Sequence, residues 1–185
     1  QYVSSVRERC HQDLSVPAWI ACDAEREQRM QLTHITQRAL KQKLFGGWCG
    51  TVSARVSSTL FLISPSSTDR KCLTADSFIT VRMEEDNKAV YQPNHVGSPS
   101  VSVFSHLAIY KSHPKVNFII ASDFLPNTMA IGVTGGDQQP EYHSSIIPEG
   151  YIVLRHVPIL PFEAAMQPEK IAEAITSMSP VVMVR

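Results

Sequence analysis

No stretch of this chain stays apolar for the ~20 residues needed to cross a bilayer, so a membrane-spanning helix is not expected. It also lacks an excess of charge of either sign: 17 Lys and Arg face 17 Asp and Glu, with a pI near 7.2. Phosphate backbones are held by clustered basic side chains, and without such a cluster a nucleic-acid partner is not expected. Cysteine is sparse and scattered. Cys10, Cys22, Cys49 and Cys72 show no CxxC spacing. This excludes the common zinc-ribbon patterns and makes a disulfide scaffold a poor reading at this size; reduced thiols in a cytoplasmic protein are the expectation. HExxH, HxH and Gly-x-Ser-x-Gly are absent as well, so neither a zincin helix nor a nucleophile elbow is present.

What is there suits one folded domain. The chain has 185 residues, 43% of them apolar, and about 70% of the surface of an unfolded chain of this size can be removed from water. Residues 1–22 read as a lead-in, with a short helix over 3–14 ended by Pro17. Residues 23–185 read as the domain. Asp23 stands where a helix N-cap would, and Met30, Leu32, Ile35, Ala39, Leu40 and Leu44 follow at helical spacing. A helix over 24–44, stopped by Gly46-Gly47, is expected. The period then changes. Strands are expected over 49–56, 59–63, 78–83 and 89–91, with turns at 65–69 and 84–88. A helix over 102–112 precedes a short buried strand over 118–121. Strands over 151–154 and 159–160, a helix over 168–177 and a last strand over 181–184 complete the pattern. The fold class is α/β, with a central, mostly antiparallel sheet flanked by helices.

Five segments, in order, resemble the class II aldolase/adducin family. Gly50-Thr51-Val52-Ser53-Ala54-Arg55 stands where that family has Gly-Asn-aliphatic-Ser-x-Arg. Ser64-Pro65-Ser66-Ser67 matches its Thr/Ser-Pro-Ser-Gly turn, and Leu73-Thr74-Ala75-Asp76 its Leu-Thr-x-Asp element. Pro99-Ser100-Val101-Ser102, then His106-Leu107-Ala108-Ile109-Tyr110 and Pro114, follow its Pro-Ser-Ser-Glu and His-x-Ala-x-Tyr block. Asn117 to Asp123 stands for Asn-x-Val-Val-His-x-His. The family's closing helix and strand correspond to 168–184, and its next His-Gly would fall beyond Arg185, so the C-terminal end reads as truncated.

The resemblance implies a divalent metal, usually zinc, held by histidines and a nearby glutamate acting as acid and base. Zinc takes imidazole nitrogens at about 2.0–2.1 Å and needs an open position for substrate. Here the glutamate position is Ser102, and the two histidine positions are Ala121 and Asp123. Alanine cannot ligate, and a lone carboxylate is too little for a tight zinc site. No metal cofactor is therefore expected, and no catalytic residue is assigned. The family's phosphate-binding positions fall on Thr51, Ser66, Ser67, Ser100 and Val101; their hydroxyls and turn N–H groups suit a small anion, although Ser and Thr are also ordinary turn residues.

Two functions follow as expectations. In the first, the chain has lost metal-dependent sugar-phosphate aldolase activity and acts as a binding or assembly module. In the alternative, it is a metal-dependent aldolase or epimerase on sugar phosphates or related hydroxy-carbonyl compounds. Zinc or another divalent ion would then sit in a rebuilt site of Asp123, His143 and His156. A homo-oligomer, often a tetramer, is implied by the resemblance alone. His106, on the apolar side of its helix, reads as a hydrogen-bonded core residue, and Cys49 and Cys72 as small buried side chains.

Overall fold

A computed structural model describes residues 10–12, 23–92, 97–122, 141–142, 152, 157–177 and 179–184. They fall into two units, residues 1–124 and 125–185.

Among the described residues, the first unit is a six-stranded sheet with one helix on each face. Its strands are β1 (Cys10–Gln12), β2 (Thr51–Arg55), β3 (Leu60–Ile63), β4 (Ile79–Met83), β5 (Ala89–Tyr91) and β6 (Phe118–Ala121), in the order β1-β5-β4-β3-β2-β6. Every pairing is antiparallel except β1 with β5. Helix α1 spans Asp23–Lys41 and α2 spans Val103–Ser112. Alternation along the strands divides the core in two. Phe61, Ile63, Ile79, Val81 and Ala89 pack with Val103, Phe104, Leu107 and Tyr110 of α2. Val52, Ala54 and Leu62 pack with Leu32 and Ala39 of α1, together with Phe45, Leu73 and Phe78.

The long helix forms where the period placed it, and Asp23 and Glu25 in its first turn and Arg38 and Lys41 in its last complement its dipole. It ends earlier than the glycine pair suggested. Lys43 adopts a left-handed φ of 58°, Lys43 N–H donates to Leu40 O at 3.0 Å, and Leu44 N–H donates to Ala39 O at 2.9 Å. That is a Schellman stop, with Leu44 folding back onto the core. A buried polar knot ties α1 down. Arg29 donates to Glu25, to Thr80 Oγ1 at 2.8 Å, and to the carbonyls of Ala75 and Phe78 at 3.1 and 2.7 Å.

Three other expectations change. Residues 10–12 form a strand rather than part of a helix, because the open edge of β5 offers them a parallel ladder, Cys10 opposite Ala89. The rest of the 3–14 segment lies outside the described residues. The 118–121 strand forms but is not buried: β6 is a sheet edge, and Phe118 and Ile120 are exposed there. Of residues 151–154 only Ile152 is described, and its backbone is helical.

The second unit holds β7 (Glu141–Tyr142), β8 (Val157–Leu160), α3 (Pro168–Ala174) and β9 (Met183–Val184). β8 lies between β7, antiparallel, and β9, parallel. Pro168 opens α3 at a position where its missing N–H costs nothing.

Candidate functional site

Two turns and the start of α2 converge on the first residue of β2. Gly50 precedes it with φ 91°, and a Cβ there would lie 2.2–2.8 Å from the Phe45 ring. Only glycine fits that bend. The Ser64–Ser67 turn and the Ser98–Ser100 segment are then sewn together. Ser66 N–H donates to Ser98 O at 3.0 Å, Ser100 N–H donates to Ser64 O at 3.1 Å, and Pro65 and Pro99 form an antiparallel bridge. This brings Thr51 Oγ1 and Ser100 Oγ to 2.8 Å, both buried. Ser66 and Ser67 hydroxyls lie 3.2 Å apart on the more open side of the turn. Ser102, the N-cap of α2, directs its N–H to Ser100 Oγ at 3.4 Å. The backbone bonds thus bring the segments that carry Thr51, Ser66, Ser67, Ser100 and Ser102 into one cluster, in which hydroxyls meet as two pairs, Thr51–Ser100 and Ser66–Ser67, with Val101 exposed beside it.

Ala121 joins the same cluster from the other side. It is the cross-strand partner of Thr51 in the β2–β6 ladder, so the two share a face of the sheet. Asp123, His143 and His156 lie outside the described residues. Among the described residues, no three His, Cys, Asp or Glu side chains come together as a metal-binding group.

One residue of the cluster was invisible in the sequence. Arg70 is 2% exposed and points inward from the single turn Arg70–Cys72, donating to the carbonyls of Gly50, Pro65 and Thr68 at 2.7, 3.0 and 2.7 Å. A lone arginine in a polar turn reads as solvated, and no local pattern distinguishes it. Cys49 and Cys72, expected to be buried, are both exposed. They flank this region on loops whose inward positions are taken by Phe45, Arg70 and Leu73.

Beneath the cluster, on the α2 face, lies a second polar group. His106 is fully buried, with Nδ1 2.6 Å from Ser53 Oγ, which is also 2.7 Å from Tyr110 OH. Its Nε2 is buried without a partner among the described residues. If Tyr110 donates to Ser53 and Ser53 to Nδ1, the ring is the neutral Nε2–H tautomer and one donor is left over. The reverse order strands the tyrosine proton as well, so the first is favoured. Burial pushes the His106 pKa down to about 3 and raises that of Tyr110. His106 is the hydrogen-bonded core histidine its helical position suggested.

Fold and cluster together are those of an α/β domain in which two serine-bearing turns meet the first turn of a helix at one end of a mainly antiparallel sheet. The chain belongs to the family described as the class II aldolase and adducin N-terminal domain, whose family model matches residues 30–185. The methylthioribulose-1-phosphate dehydratase of Yersinia enterocolitica is 32% identical to it over 81 residues, 40% of this chain. The matched stretch spans 35% of that curated relative's length. Among solved structures, YgbL of Klebsiella pneumoniae has a TM-score of 0.69 at 17% identity, over 86% of this chain and 75% of its own. L-fuculose-1-phosphate aldolase of Thermus thermophilus has a TM-score of 0.67 at 18% identity, over 86% and 77%. At these identities the structural likeness establishes the fold.

Proposed function

We propose that this chain is a class II aldolase/adducin-family binding module that holds a small anion, such as the phosphate of a sugar phosphate, on Thr51, Ser66, Ser67 and Ser100. In this reading it lacks the family's metal-dependent chemistry. One observation carries it: Thr51 has a hydroxyl partner, Ser100, on one side and the methyl group of Ala121 as its cross-strand neighbour on the other. In this reading the polar half of the family pocket is kept, while the positions that resemblance assigns to the acid/base and a metal ligand hold Ser102 and Ala121.

A zinc ion does not fit this donor set. A methyl group offers no lone pair, and a serine hydroxyl stays protonated near neutral pH, so neither replaces an imidazole or a carboxylate. The hydroxyls, by contrast, suit a phosphate monoester: in each pair, Thr51–Ser100 and Ser66–Ser67, one hydroxyl donates to its partner and the other keeps its proton for an anionic oxygen, and such bonds contribute about 1.5–3 kcal/mol. The names of two of the proteins this chain resembles, the Yersinia dehydratase and the Thermus aldolase, both specify a sugar 1-phosphate, which supports that ligand class. The homo-oligomer expected from the resemblance belongs to the same proposal and is read by light scattering.

The test is calorimetric titration of the full chain with inorganic phosphate, repeated on Thr51→Val. Saturable binding that weakens about tenfold or more in the variant is expected, the lower end of the range for a bond to a charged group. Unsaturable heats in the wild type would sink the anion site. Chelator-sensitive turnover of a sugar phosphate would replace this reading with the enzyme.

A further inference from the structure

We infer that Arg70 is the positioning residue of this pocket, holding its two turns in register and placing a buried positive charge behind its hydroxyls. The inference rests on the anion-binding reading above and adds a residue that the family resemblance did not assign.

Arg70 Nε donates to Gly50 O, the carbonyl of the peptide leading into Thr51. Its Nη1 donates to Pro65 O, the carbonyl of the peptide leading into Ser66, and to Thr68 O, one residue beyond Ser67. All peptides described are trans. In a trans peptide the carbonyl and the following N–H point in opposite directions. Turning Pro65 O toward the guanidinium therefore sends the Ser66 N–H outward, and it is found on Ser98 O at 3.0 Å. From Ser98 the chain runs through Pro99 to Ser100, whose hydroxyl meets Thr51 at 2.8 Å. Thr51 adjoins Gly50, and the circuit closes on Arg70. Three separate segments of chain enclose the hydroxyls, and one side chain joins two of them directly and the third through Ser66. The backbone N–H of Arg70 anchors the hub itself, donating to Gly47 O at 2.8 Å.

Only a guanidinium suits the task. Its planar fork presents five donors at fixed angles and always carries charge, whereas an ammonium is one compact point on a flexible stem. The charge sits one peptide unit behind Thr51 and Ser66, in surroundings that screen it poorly, so its field reaches an anion held in front of them.

The experiment compares wild type, Arg70→Gln and Arg70→Lys in phosphate titrations at several salt concentrations. Arg70→Gln should bind about tenfold or more weakly and with a flatter salt dependence. Arg70→Lys should regain the salt dependence with only part of the affinity. A purely structural role would move affinity alongside melting temperature and leave the salt dependence alike in all three. Wild-type affinity and salt dependence in Arg70→Gln would overturn the inference while leaving the anion site standing. No saturable phosphate binding by the wild type would remove the site and the inference with it. If Arg70→Gln fails to fold by circular dichroism, the wild type still decides. The Arg70 Nε–Hε resonance in a nitrogen-15 spectrum, assigned by its loss in Arg70→Lys, should shift with phosphate and saturate with the calorimetric affinity. A resonance unmoved by bound phosphate would overturn the inference.

Discussion

Acidification from about pH 7 to about pH 5 should destabilise this fold by about 2 kcal/mol through His106 alone. In the folded chain its pKa is about 3, because the ring is wholly buried and its imidazolium form would lose hydration without gaining a counter-charge. Unfolded, it titrates near the ordinary value of about 6.5. Between those two values the unfolded chain holds a proton that the native chain refuses. Stability from this source is therefore complete above about pH 6.5 and falls by about 1.4 kcal/mol per pH unit below it, levelling off near the folded pKa. Integrated from about pH 7 to about pH 5, the loss is about 2 kcal/mol. His106→Leu removes the titration while Ser53 keeps its bond to Tyr110 at 2.7 Å. Whatever the substitution costs in packing is nearly constant with pH, so the comparison rests on slopes. Urea unfolding followed by far-UV circular dichroism, on both proteins across this range, gives them directly. Carboxylates contribute equally to both and cancel. Equal slopes in wild type and His106→Leu would refute the reasoning and show that the buried ring gains its proton as readily as the free one.

Two further predictions concern stability. Gly50→Ala should destabilise the chain by about 3 kcal/mol or more, since a Cβ at φ 91° would stand 2.2 Å from the Phe45 ring; a denaturation midpoint equal to that of wild type would contradict the bend described. Arg29→Met should cost about 3–5 kcal/mol by leaving Glu25, 5% exposed, as a buried and uncompensated carboxylate. In the same unfolding assay, the double variant Glu25→Gln with Arg29→Met should recover part of that loss, and equal losses in the single and double variants would argue against the ion pair.

The sequence made the architecture legible wherever the interactions are local. The helical period of Leu32, Ala39 and their neighbours, and the β-rich runs that became β2 to β5, were readable because each segment carries its own pattern. The failures share one cause. The strand at 10–12 exists because β5, some 80 residues away in sequence, leaves an edge to pair with, and nothing within the segment announces that. The helix stop at Lys43 uses a non-glycine residue in a left-handed conformation, which composition disfavours and packing of Leu44 enforces. The candidate site divides in the same way. Thr51, Ser66 and Ser100 were proposed through ordered family resemblance, since serines in turns carry no chemistry of their own on paper. Arg70 was not found, because burial of a turn arginine depends on carbonyls from two separate segments of the chain.

In the proposed reading the family pocket has kept its anion-holding turns and given up its metal. Elemental mass spectrometry of the purified full chain, before and after incubation with excess zinc and removal of the free ion, tests it most directly. Zinc and other divalent metals should remain far below one ion per chain in both samples. About one tightly held ion per chain, lost only to a strong chelator, would contradict the account and direct attention to Asp123, His143 and His156.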